Sequence, residues 1–173
     1  MRPVVVSKRT PRTYRPELVL AAGPLTLRQP GAGTVRDLYG AAWALALHRD
    51  GPALYQLHAG IWEARSDPDA LAELDGVRHV ALAWDQAARP VLAWERSGAV
   101  YVRQWSGDAA GYVTRGPWPG RDPLLLADAP LLGVTGDSDV LLLYLDGAAL
   151  AYRLQREAYS TARDLAPMPP GAV

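Results

Sequence analysis

Pro90–Trp105 reads PVLAWERSGAVYVRQW, and the reading of this stretch decides the fold. Two apolar runs flank Ser97-Gly98, a two-residue connection that marks a β-hairpin when strand-forming residues lie on both sides. Along the second run Tyr101, Arg103 and Trp105 alternate with Val100, Val102 and Gln104, as the two faces of a strand require. The same pattern recurs twice, as AWALALHRDGPALYQLH from Ala42 and VLLLYLDGAALAYRLQ from Val140. Its turn glycines are Gly51, Gly98 and Gly147, so the copies lie a little under fifty residues apart. A third short run follows each copy: IWEAR at Ile61, YVTRG at Tyr112 and YSTAR at Tyr159.

Working outward from the middle copy, His79–Trp84 supplies a first strand and Ala87-Ala88-Arg89-Pro90 a turn. Val91–Glu95, Ala99–Trp105 and Tyr112–Arg115 complete a four-stranded antiparallel meander. The third copy repeats the order with Leu124–Ala127, Val140–Leu145, Ala148–Gln155 and Tyr159–Arg163, turning at Asp146-Gly147. The first copy is interrupted after IWEAR by Ala70–Leu74, a helical turn capped by Asp67 or Asp69. The expected fold is all-β and β-propeller-like, with units over 35–75, 76–118 and 120–165. A repeated sheet of this kind buries its faces only by stacking on neighbours. Three units are too few to close a ring, so the fold is expected to be incomplete without an oligomeric partner. Leu141-Leu142-Leu143 at the open end has no charge to protect it from such pairing.

Around the 35–165 body, residues 1–34 read as an extended arm with short strands, and 166–173 as an exposed tail. The arm carries Arg2, Lys8, Arg9, Arg12 and Arg15, while Pro3, Pro11 and Pro16 keep it extended. It is expected to strap across an acidic neighbouring surface. Glu17–Leu27 is expected to form two strands turning at Gly23-Pro24.

The chain has 173 residues, 49% of them hydrophobic, enough for a core in one domain. Eighteen basic residues balance eighteen acidic ones, which gives no reason to expect nucleic acid as a partner. The absence of cysteine excludes disulfides and thiol chemistry. No apolar run approaches a membrane span or a signal-peptide core, so synthesis and retention in the cytosol until assembly are expected. His48, His58 and His79 lack metal-ligand spacing, and no nucleophile elbow or phosphate loop is present. No cofactor, metal or catalytic role is expected. Arg103, Arg153 and Arg156, awkward to bury, are expected with the arm's basic residues at a subunit interface. Six tryptophans and eight tyrosines supply large rings. Trp84, Trp94 and Trp105 are expected to pack in the core with their indole N–H groups on carbonyls, and Tyr101 to be largely buried beside them. Trp105 and Trp118 are the candidates for stacking on a sugar.

The stretch from Val77 to Leu165, about half of the chain, resembles propeller-like repeats of tailed-bacteriophage structural proteins. Those repeats have a strand of the type A-x-D-x-x-x-R-P-V-x-A-W, a Y-x-R-Q strand, and a closing S-D-V-x-L-x-Y followed by L-x-Y-R-x-Q-R. Here the match is carried by Asp85, Arg89, Pro90, Tyr101, Arg103, Gln104, Asp139, Tyr144, Tyr152, Arg153, Gln155 and Arg156. The resemblance implies a non-enzymatic virion component of the tail or tail tip, assembled in the host cytoplasm with other virion proteins and as a homo-oligomer. The alternative is a carbohydrate-binding, lectin-like module that recognises a host glycan.

Overall fold

The computed structural model describes residues 4–7, 16–20, 23–26, 35–37, 39–48, 51–65, 67–74, 77, 79–127 and 140–167. Side chains before Val35 lie outside that description. The protein is all-β, built of antiparallel sheets with almost no helix. A small sheet comes first, with β1 (Val4–Ser7), β2 (Pro16–Leu20) and β3 (Gly23–Thr26) in that order. The first four-stranded sheet follows, from β4 (Val35–Arg36), β5 (Ala42–His48), β6 (Gly51–His58) and β7 (Ile61–Arg65). After α1 (Pro68–Leu71), the second sheet runs β8 (His79–Trp84), β9 (Pro90–Arg96), β10 (Ala99–Ser106) and β11 (Gly111–Pro119). The third has β12 (Arg121–Ala127), β13 (Val140–Asp146), β14 (Ala149–Leu154) and β15 (Arg163–Pro167). In all three, strands pair in chain order, so each is a four-stranded meander.

The second sheet lies between the other two, and its alternation shows why. Val80 pairs with Trp94 and Leu82 with Leu92, and these point toward Leu45 and Leu54 of the first sheet and toward Leu71 and Leu74 of α1 and the segment after it. Ala81 pairs with Ala93 and Ala83 with Val91, and these point toward Leu125, Val140, Leu142 and Tyr144 of the third sheet. A strand buried on both faces loses the polar half of the alternation, and β9 is buried from Pro90 through Trp94. Trp43 and Trp84 touch across the first contact at 4.4 Å between centroids, and Trp94 stacks on Tyr101 at 5.7 Å. The far face of the first sheet is also covered: Ala44, Ala46, Tyr55 and Trp62 are at most 6% exposed, and β3 runs beside β5.

Several local expectations shift. The three glycines do not occupy one place in their hairpins. Gly51 already pairs with His48, Gly98 is the second loop residue after Arg96, and Gly147 is the first after Asp146. Each has positive φ, at +115°, +74° and +57°, so glycine answers a local backbone demand wherever that demand falls. The β2–β3 turn lies at 21–22, since Leu20 pairs with Gly23, and Gly23-Pro24 belongs to β3. Val4–Ser7, part of the expected arm, pairs with β2 of the same chain. The last strand of the third sheet begins at Arg163, four residues later than Tyr159. A 3-10 turn, Gln155–Glu157, and left-handed Ala158 and Tyr159 occupy the interval. The helical turn is α1, earlier than Ala70–Leu74, with Asp67 as its cap through a bond from Ala70 N.

Candidate assembly interface

The turns entering the second strand of the first and second sheets are organised alike. Asp37 stands five residues before β5 and Asp85 five before β9. The Asp37 carboxylate accepts the backbone N–H of Tyr39 and Ala41, and that of Asp85 accepts those of Ala87 and Arg89, all at 2.9 Å. The backbone closes identically, Asp37 N–H to Ala41 O and Asp85 N–H to Arg89 O. The second carboxylate oxygen then takes a side chain, Trp43 Nε1 at 2.8 Å or Arg89 Nε at 3.0 Å. Sequence reading missed both aspartates as a pair, although their shared spacing before the second strand was there to find.

The arginines expected at a subunit contact divide. Arg103 is used inside the chain: its guanidinium donates to Asp69 O and Thr114 Oγ1 at 2.8 Å and to Glu73 Oε1 at 3.2 Å. It thereby fastens α1 and the segment after it onto β10 and β11. Tyr112, 5.9 Å from that guanidinium, donates to Asp67 Oδ2 at 3.3 Å. Burial and then the Asp67 charge hold its phenol well above the usual range. Arg153 is buried, with Nε donating to Tyr144 Oη at 3.0 Å and Nη1 to the carbonyls of Tyr159 and Ser160. Both side chains were expected outside because a lone guanidinium is hard to bury, but carbonyl and hydroxyl oxygens satisfy them here. Arg156 is exposed beside the third sheet. Arg2, Lys8, Arg9, Arg12 and Arg15 lie outside the described residues.

The two tryptophans proposed for sugar stacking are half-buried and already engaged. Arg153 sits 4.3 Å over the Trp118 ring, and Arg89 5.4 Å over Trp105, which meets Tyr112 edge to face. Trp84 and Trp94 are buried, as their apolar strands imply, but their Nε1 groups find no carbonyl among the described residues. Glu157 and Arg163 pair through two 2.6 Å bonds, which hold the Glu157 carboxyl below its ordinary value. Among the described residues no cluster of three His, Asp or Glu side chains assembles, and no helix is long and apolar enough to cross a membrane.

The distinctive surface is the outward face of the third sheet. Leu124 pairs with Leu143 and Leu143 with Tyr152, Leu126 with Leu141 and Leu141 with Leu154, and Leu145 with Leu150. Cross-strand partners share a face, so these eight side chains lie on the side opposite the set that meets the second sheet, where Leu143 is buried and Leu141, Leu145, Leu150, Tyr152 and Leu154 are half-buried. Leu124 is 43% and Leu126 46% exposed, and the edge strand adds Leu165 at 58%. None of this set joins the three clusters of buried apolar residues.

Comparison with protein-family models, curated proteins and solved structures returns no match.

Proposed function

We propose that the chain is a non-catalytic building block: three propeller-blade-like sheets that leave one blade face open for assembly. The observation that carries this reading is the leucine face of the third sheet, which a solitary protein would have strong reason to cover or charge. The blade-like reading is supported by the meander order of each sheet and by the approach of first strands, β4 to β8 and β8 to β12. The resemblance of Val77–Leu165 to tailed-phage repeats supports a place in the phage particle, in the tail or tail tip, reached by assembly in the host cytoplasm.

The test is to delete the gene from the phage genome that carries it and to examine particles by electron microscopy and protein mass spectrometry. The chain is expected in purified wild-type particles at a fixed ratio to other tail proteins, with tails defective in the deletion. Infectious particles of normal shape that never contain the chain would refute the proposal.

A further inference from the structure

We infer that the small sheet β1–β3 is a built-in cap, which takes the place of a preceding blade on the back face of the first sheet and keeps that face from receiving any other subunit. The inference goes beyond the assembly reading and holds whether or not the chain belongs to a particle. Register makes the three blades comparable position by position. Their second strands close the hairpin where His48 pairs with Gly51, Arg96 with Ala99 and Asp146 with Ala149. Two residues before those closing positions stand Ala46, Trp94 and Tyr144, and four before them Ala44, Leu92 and Leu142. Alternation puts each such pair on one face of its strand. Leu92 and Trp94 pack toward the first sheet, and Leu142 and Tyr144 toward the second, so this face looks back at the blade that precedes it in the chain. Ala44 and Ala46 look back in the same sense, away from the second sheet, while Leu71 of α1 lies on the other side with Leu45 and Leu54.

No four-stranded blade precedes the first sheet, yet its back face is buried: Ala44 is 1%, Ala46 0%, Tyr55 4% and Trp62 6% exposed. What precedes it in the chain is β1–β3, an antiparallel meander whose last strand has Cα atoms within 8 Å of those of β5. Sheets packed face to face usually sit about 10 Å apart, so an approach this close needs small side chains between them. The positions that hold Trp94 and Tyr144 in the later blades hold alanine in the first, which leaves that room. End units of repeat proteins depart from the repeat in this way because they finish the stack instead of continuing it. While the cap is seated, copies of the chain cannot join end to end through the first sheet.

The test uses the full chain, which has no cysteine of its own, with single thiols introduced. Ala46→Cys probes the capped face, Ala93→Cys the contact between the second and third sheets, and Arg65→Cys an exposed place on β7. A protease recognition sequence inserted after Gly31, between β3 and β4, lets the folded chain be cut and the N-terminal piece removed by gel filtration. Before the cut, the thiol of Ala46→Cys should react at least about 100-fold more slowly than that of Arg65→Cys, at about 1 µM and about 100 µM alike. With the piece removed it should react like Arg65→Cys, while Ala93→Cys stays protected. A thiol at position 46 adds an atom where the sheets are closest, so nitration of Tyr55, read by mass spectrometry against Tyr39 at 83% exposure, gives a second measure with no substitution on the face. It should be slow before the cut and fast after it. Protection of position 46 or of Tyr55 that survives removal of the piece overturns the inference, as does free reaction of Tyr55 in the uncut chain. Protection of the uncut chain that is lost on dilution shows that a second copy supplies the cover, and exposure of Ala93→Cys by the cut shows that β1–β3 belongs to the core; either result overturns it too. A chain absent from particles sinks the proposed function and leaves the cap standing.

Discussion

Replacing Asp85 by alanine removes one buried carboxylate that makes three bonds: two to backbone N–H groups at 2.9 Å and one to Arg89 Nε at 3.0 Å. Hydrogen bonds to a charged acceptor contribute about 1.5–3 kcal/mol each, yet the three do not add in full. Gln86 and Ala87 are exposed, so water can reach part of the opened turn, and Arg89 keeps its solvent contact and its place over Trp105. The expected loss is about 2–4 kcal/mol for Asp85→Ala. Asp85→Asn retains an oxygen for the two N–H groups and turns its amide toward the guanidinium, so roughly 1–2 kcal/mol is expected. The assay is equilibrium urea unfolding followed by circular dichroism. With a slope of about 2 kcal/mol per molar urea, the alanine variant should unfold about 1–2 M earlier with its slope unchanged. An alanine variant within about 0.5 kcal/mol of the parent would refute the argument that the carboxylate closes the turn. So would an asparagine variant as unstable as alanine.

Two further outcomes concern Tyr112 and Gly120. The Tyr112 phenol is held above its ordinary value in the folded state, so its contribution to stability is fully present below about pH 10, the unfolded value, and is lost as pH rises toward the folded one. Melting temperatures across pH 9–11.5 should therefore fall less steeply for Tyr112→Phe than for the parent; identical slopes would show that another group governs the alkaline limb. At Gly120, φ is +151° and an added Cβ would lie 2.6 Å from Tyr144 Cδ2 and 2.8 Å from Leu145 O. Gly120→Ala should cost at least about 2 kcal/mol in urea unfolding, more than Gly147→Ala, where a Cβ meets open space and only φ is unfavourable.

Strand identity was legible because it is local. Alternation and turn residues place β8, β9, β10 and β13 within about a residue of their observed ends, and the choice of Asp67 or Asp69 as a cap announces a helical turn near α1. Boundaries failed where distant groups decide them. Nothing near Tyr159 says that Arg153 will bind its carbonyl and that of Ser160, which delays β15 to Arg163. β11 runs on to Pro119 because Trp118 pairs with Val100 beyond a bulge, again a partner remote in sequence. The open leucine face was partly legible, since Leu141-Leu142-Leu143 is conspicuous, but its full extent depends on which residues of β12 and β14 pair with that run. The arginines misled because charge was taken as a mark of the surface, whereas Arg103 and Arg153 find enough oxygen atoms inside.

The alanine lining of the second sheet has a consequence for how the body is put together. Ala81, Ala83 and Ala93 let β12 come so close that its Cα atoms lie within 8 Å of those of β8 and β9, while Leu82, Leu92 and Trp94 fill the other side. Small side chains on one surface and bulky ones on the other act as an address label. Leu125, Leu142 and Tyr144 of the third sheet fit the shallow surface, and the first sheet with its helix fits the bulky one. A sheet that tried the wrong neighbour would meet either a gap or a collision. The row of sheets therefore has a direction written into its side-chain volumes, which guards a chain of three look-alike repeats against folding in the wrong order.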